Sequence, residues 1–232
     1  MHFEKIDSFP SFCHALREAG FSMGGSNDEG IFSLSTYFSD NLVSHTGNNE
    51  TDPWKWRIRG VTECDDLLYG KFFFNKGGWI TKEWLPYFMA VRRGKKSFDE
   101  LYYEGLVNNT AKKVYDLISD TPNLSLQEIK IMGNFDKNQK YEFESALNTL
   151  QMKMFITISG EKFKLSKEGK PYGWPVTTFS KIEDFWGEGI LDLSCTLKAE
   201  EAVDKIKTQI LALNPDAESK LINKFIGVSK TA

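Results

Sequence analysis

The chain has 232 residues, 41% hydrophobic, 14% aromatic and 26% charged, with a formal net charge of −3. This is globular composition for one or two domains, and it excludes a low-complexity or disordered chain. The slightly negative balance argues against DNA affinity spread over the whole surface, because phosphate contacts require a basic face, and leaves room only for a local one. Three cysteines, Cys13, Cys64 and Cys195, lie far apart without a CxxC pair. A cysteine zinc site is therefore not expected, and the odd count suits reduced thiols in a cytosol. Residues 1–7 carry charges where a signal peptide needs an apolar stretch, and no apolar run approaches the ~20 residues of a membrane span. The expectation is a cytoplasmic protein without membrane association.

Three regions follow in order: an aromatic-rich α+β region over residues 1–105, a helical region with a hairpin over 106–187, and a helical extension over 188–232. In the first, Phe9, Phe12, Cys13 and Leu16 fall at i, i+3, i+4 and i+7. That spacing predicts a helix, begun at Ser8 before Pro10 and closed by Gly20. Residues 24–30 are a glycine-rich loop without GxGxxG or GxxxxGK spacing, so no phosphate cradle is expected. Residues 44–51 read as a polar loop. Asp52-Pro53 has the form of an N-cap and a proline at the first helical position. Trp54, Trp56 and Ile58 nevertheless alternate with Lys55, Arg57 and Arg59, a strand pattern; the helix is favoured. Residues 67–74 read as a strand and Asn75-Lys76-Gly77-Gly78 as a turn. Thr81 is expected to cap a helix carrying Trp84, Leu85, Phe88 and Met89, with Pro86 in its first turns.

In the second region, Ala111, Val114, Tyr115 and Ile118 make one helical face. Ser125-Leu126-Gln127-Glu128 and Asp136-Lys137-Asn138-Gln139 each fit a capping box, in which the two side chains satisfy free backbone N–H groups. A third helix is expected to bury Phe143, Ala146, Leu147 and Leu150. A strand over residues 154–158, a Ser159-Gly160 turn and a return over 162–165 complete a hairpin. Three short helices and a hairpin in this order predict a winged helix-turn-helix in an α+β, mainly helical fold. A short helix over 180–186 and a last pair over 199–213 and 216–225 follow.

The stretches Val114-Tyr115-Asp116-Leu117-Ile118, Ser145-Ala146-Leu147-Asn148-Thr149-Leu150-Gln151-Met152 and Ile156-Thr157-Ile158-Ser159-Gly160 resemble the AlkZ-related proteins of Firmicutes. These are distant relatives of the AlkZ/YcaQ DNA glycosylases. Tyr69-Gly70-Lys71-Phe72-Phe73, followed by residues 79–88, is similar to the segment those glycosylases carry before their later winged helix. The likeness covers roughly residues 50–187. It implies a tandem winged-helix architecture and action on alkylated or crosslinked bases. The glycosylases' Gln-x-Gln or Gln-x-Asp motif lies in their N-terminal part, whereas the first glutamine here is Gln127.

Base excision needs a group that orients water and stabilises positive charge on the sugar, and an aromatic face for the flipped base. Asp52 and Glu50 are the catalytic candidates, and Trp54, Trp56, Arg57 and Arg59 the base-binding ones. The competing reading makes Asp52 a helix cap and the tryptophans core, and pairs the arginines with Glu63, Asp65 or Asp66. Arg92, Arg93, Lys95 and Lys96 form the densest basic run, a candidate contact to the DNA backbone or a solvated helix end. The hairpin adds Lys162 and Lys164, with Lys167 and Lys170 beyond. The third helix mixes Lys137, Lys140 and Asn148 with Glu142 and Glu144, and the acids there disfavour phosphate. His2, His14 and His45 show no HExxH or HxH spacing, so no metal site is expected; no cofactor is implied. No GxSxG elbow occurs, and Cys13 and His14, adjacent on a helix, point apart. The reading is a winged-helix protein that binds DNA, damaged DNA included. A divergent glycosylase and a protein-interaction module are the alternatives.

Overall fold

Ser8 opens the first helix, α1 (Phe9–Ala19), by accepting the Ser11 N–H. Gly20 closes it at φ 83°, a conformation that costs glycine little. The predicted face, Phe9, Phe12, Cys13 and Leu16, is buried. Strand β1 (Phe21–Met23) and a single 3-10 turn (Leu34–Tyr37) follow. The conflict at residues 52–59 resolves to a helix, α2 (Pro53–Glu63). Asp52 caps it by accepting the Trp54 N–H at 2.9 Å, with proline at its first position.

Strands β2 (Leu67–Phe73) and β3 (Lys76–Thr81) pair antiparallel, and β1 joins the far side of β3, giving the order β1-β3-β2. The turn between them is tighter than expected: Phe74 and Asn75 alone make it, at φ 52° and 60°. Gly77 and Gly78 belong to β3 because rings cover them. A Cβ at Gly77 would stand 2.1 Å from the Tyr69 hydroxyl, and one at Gly78 would stand 2.3 Å from Phe73 Cδ2. Thr81 ends β3 instead of capping a helix, and α3 (Leu85–Arg92) starts after Trp84 without a side-chain cap.

After α4 (Phe98–Tyr103) come α5 (Asn109–Asp120), β4 (Leu124–Ser125), α6 (Leu126–Met132), α7 (Lys140–Met152), β5 (Ile156–Leu165) and β6 (Pro171–Lys181). The Ser125–Glu128 capping box forms on α6. Asp136 and Gln139 bond reciprocally, but in the turn before α7. Phe143, Ala146, Leu147 and Leu150 line the buried face of α7. Ser159-Gly160 bends β5 and does not end it: the register shifts there and the strand runs on to residue 165. The return strand is therefore β6, in the order β4-β6-β5, with Ser166 N–H donating to the Lys170 carbonyl across the turn.

The computed structural model describes residues 2–166, 168–187 and 189–228; Lys167 lies outside them. Among these residues it places eleven α-helices and two three-stranded antiparallel sheets, an α+β fold. Both halves repeat one succession: helix, short strand, short helical turn, helix, hairpin, with the first strand against the third. The halves meet reciprocally, α2 on β5 and α7 on β2. Gln151 at the end of α7 accepts the Lys71 N–H at 2.9 Å, and Thr157 on β5 donates to the Tyr69 carbonyl at 3.3 Å.

The chain ends in α8 (Ile182–Trp186), α9 (Gly189–Thr196), α10 (Ala199–Leu213) and α11 (Ser219–Ile226). The last three return to α3 in the first half and do not trail from the second sheet. Phe225 stacks on Phe73 with ring centroids 3.9 Å apart, and Gln209 donates to the Ala19 carbonyl. Among the described residues no helix is long and apolar enough to cross a membrane.

Candidate functional site

Where the halves meet, a groove of about 590 Å³ opens. Helix α2 supplies Trp54 and Arg57, and the first hairpin Tyr69 and Lys71. Helix α7 supplies Glu144, Asn148 and Gln151, and β6 the wall around Thr177. Trp54 is a large aromatic left 45% exposed. The Arg57 guanidinium lies over its ring, 3.2 Å from the centroid, and the His45 ring approaches at 4.5 Å. Arg57 is anchored by donating from Nε to the Trp54 carbonyl at 2.9 Å. Burial lowers its pKa, opposed by Tyr69 and by the charges of Glu161 and Asp52. Burial also raises the Tyr69 hydroxyl, and Arg57 offsets part of that. The groove thus offers a cation stacked on an indole, a phenol, an amide and a hydroxyl, with one carboxylate at Glu144.

Asp52 does not line this groove. Its carboxylate is fully enclosed and accepts the N–H groups of His45 (3.0 Å), Gly47 (2.9 Å) and Trp54 (2.9 Å). Desolvation raises its pKa, but those backbone donors outweigh it and hold the carboxyl below the usual value. The role the geometry gives Asp52 is to fix the 45–52 loop and the start of α2, and so the position of Trp54. A depressed folded pKa means stability that is present above the unfolded value and lost as pH falls through the folded one. Asp52→Asn should therefore cost about 1–2 kcal/mol at neutral pH by urea unfolding. The difference from wild type should shrink as the pH drops into the carboxylate range; a constant difference would contradict this assignment.

The other candidates separate. Trp56 is 1% exposed, within a cage of Phe9, Phe12 and Phe38, and donates to the Asn49 carbonyl; it has no face for a base. Arg59 pairs with Glu63 at 2.9 Å and Glu50 at 3.2 Å, and lies over Phe9. Glu50 is thus the outer partner of an ion pair. Arg92 and Arg93 correct the expectation of a backbone-contacting run. Arg92 donates to the carbonyls of Phe72, Met152, Phe225 and Ile226, and Arg93 is buried against Glu183 and Phe155. Both point inward because the last carbonyls of helices and a buried carboxylate need donors. Lys95 and Lys96 remain exposed, Lys96 paired with Glu104 at 2.5 Å. On the hairpin, Lys162 pairs with Glu128 at 2.5 Å and Lys164 sits opposite Tyr172. That hairpin also exposes Phe163, Tyr172 and Trp174, the last at 86%.

Tyr69, Lys71, Gln151 and Thr177 are groove residues the sequence did not single out, whereas Asn148 and Glu144 already stand on the mixed face expected of the third helix. One signal was present: Glu144, Leu147, Asn148 and Gln151 share i, i+3, i+4, i+7 spacing, a second face of α7 beside its core face. What that face meets depends on the first half of the chain. Among the described residues no cluster of three or more His, Cys, Asp or Glu side chains could hold a metal ion.

Comparison with known proteins gives no match among curated proteins and none among solved structures. A family model, described as AlkZ related, matches residues 6–227. That span takes in both halves, the groove between them and the returning helices, and the chain belongs to the AlkZ-related family.

Proposed function

We propose that each half is a winged helix-turn-helix unit, that the two stand in tandem, and that the groove between their third helices binds DNA at an unpaired or extruded base. Family membership and the repeated element order support the first two statements. The Trp54–Arg57 stack at the groove carries the third. An extruded base needs a π-face and hydrogen-bonding groups around its edge. Trp54 offers the face, Asn148 and Thr177 the polar edge, and Arg57 and Lys71 the positive charge. The exposed lysines and aromatics of the β5–β6 hairpin suit the flanking strand. The reading stops at recognition: the carboxylate of Asp52, the candidate for orienting water, is consumed by loop backbone.

Fluorescence anisotropy with matched duplex, single strand and a duplex bearing one unpaired nucleotide tests this. The unpaired duplex should bind tightest, with affinity falling as salt rises from about 50 to about 200 mM. No binding to any of the three at low salt would sink it. Glu144 on the groove wall favours a second reading, contact with a protein partner, and under that reading all three DNAs fail to bind.

A further inference from the structure

Cys13 on α1 and Cys64, the residue that follows α2, lie 51 positions apart in sequence, yet their Sγ atoms stand 3.9 Å apart. Cys13 is buried. Cys64 is half-buried and lines a second open cavity of about 420 Å³, between the end of α2, Lys82, Phe185 and Trp186. A small oxidant reaching that cavity meets Cys64, while Cys13, within 3.9 Å of it, is not part of the lining. Arg17 and Asp66, ion-paired at 2.6 Å, flank the pair and hold α1 to the segment after Cys64.

We propose that Cys13 and Cys64 close to an intramolecular disulfide when the protein meets hydrogen peroxide, and that this bond fixes α1 to the end of α2, the helix that carries Trp54 and Arg57. The Cys64 thiolate attacks one peroxide oxygen and the O–O bond breaks, giving a sulfenic acid and, after protonation, water. The Cys13 sulfur then attacks the Cys64 sulfur. The S–O bond breaks, and the departing hydroxide takes up the Cys13 proton as a second water. Two thiols and one peroxide thus become one disulfide and two waters, the peroxide accepting both electrons.

The Sγ atoms must close from 3.9 Å to about 2.05 Å. Cys64 lies where the chain leaves the helix, on extended backbone at φ −115°, ψ 131°, so its side chain turns outside the helical ladder. Burial first, then the charge of Cys64 and its hydrogen bond, push the Cys13 thiol up to about 12. Arg17 lowers the Cys13 thiol and Asp66 raises it, and the Cys13 proton leaves with the hydroxide displaced from Cys64.

Full-length protein is treated with hydrogen peroxide, free thiols are blocked with N-ethylmaleimide, and the non-reduced digest is analysed by mass spectrometry. A peptide pair joined through Cys13 and Cys64, two hydrogens lighter and cleaved by dithiothreitol, is expected, in Cys195→Ser as in wild type. Melting should rise by about 5–10 °C on oxidation of the wild type, and not in Cys64→Ser. Blocked Cys13 and Cys64 after peroxide, sulfinic acid at Cys64 without a link, or a link through Cys195 would overturn the pairing. A link without a rise in melting temperature would overturn the claim that it fixes α1 to α2.

Discussion

Arg92→Met should lower the free energy of unfolding by about 3 kcal/mol, measured by urea denaturation. The Arg92 guanidinium donates to carbonyls of β2 (Phe72, 2.6 Å), the end of α7 (Met152, 3.1 Å) and the end of α11 (Phe225, and Ile226 at 2.8 Å). The last carbonyls of α-helices have no partner within the helix and favour a cation. The rings of Phe73 and Phe88 lie 5.3 and 5.2 Å from the same guanidinium. Burial pushes its pKa down to about 9, so it stays protonated at neutral pH. Methionine fills much of the volume but leaves four carbonyls facing a thioether. Arg92→Lys keeps the charge and loses the planar fork of donors, so an intermediate loss is expected. Lys95→Ala, at an exposed lysine of the same run, should stay within about 0.5 kcal/mol of wild type. An Arg92→Met protein as stable as Lys95→Ala would mean that the carbonyl clamp contributes nothing.

Trp54→Ala should weaken binding to a duplex with one unpaired nucleotide by about tenfold to a hundredfold, the range of one lost base–aromatic stack. Arg57→Ala removes a phosphate-range charge together with the guanidinium held on that ring. Its signature is a loss at every DNA and a salt slope shallower by about one. The two substitutions therefore differ in kind: Trp54→Ala should narrow the gap between unpaired and matched duplex, and Arg57→Ala should leave that gap and lower both affinities. Trp56→Ala would instead unfold the cage of Phe9, Phe12 and Phe38, and does not test the groove. If Trp54→Ala binds the unpaired duplex as tightly as wild type, the base does not rest on that indole.

What the sequence yields and what it hides divide along local and distant contacts. Helices α1, α7 and α10 are legible because their apolar spacing is contained within the segment itself, and α1 also carries its own Ser8 cap. The glycines mislead because one residue type answers two demands. Gly77 and Gly78 read as a turn, yet they are in a strand so that Tyr69 and Phe73 can lie over the backbone. Ser159-Gly160 reads as a hairpin tip, yet marks a register shift inside β5. Arg92 and Arg93 read as surface cations because, Phe72 apart, the groups they bond stand 60 to 134 positions away, among them Met152, Met154, Glu183 and Ile226. The candidate site suffers the same loss. Trp54 and Arg57 can be picked out from an unusual run of aromatics and arginines, but Tyr69, Asn148 and Thr177 join them only when the two halves meet.

Hydrogen–deuterium exchange of the full chain, with and without a duplex carrying one unpaired nucleotide, tests the proposed groove most directly. Protection should appear together in α2, in α7 and along β6 near Thr177, with α10 and α11 unchanged. Protection confined to α10 and α11 or to the 1–7 segment, with DNA demonstrably bound, would place the contact elsewhere and contradict it.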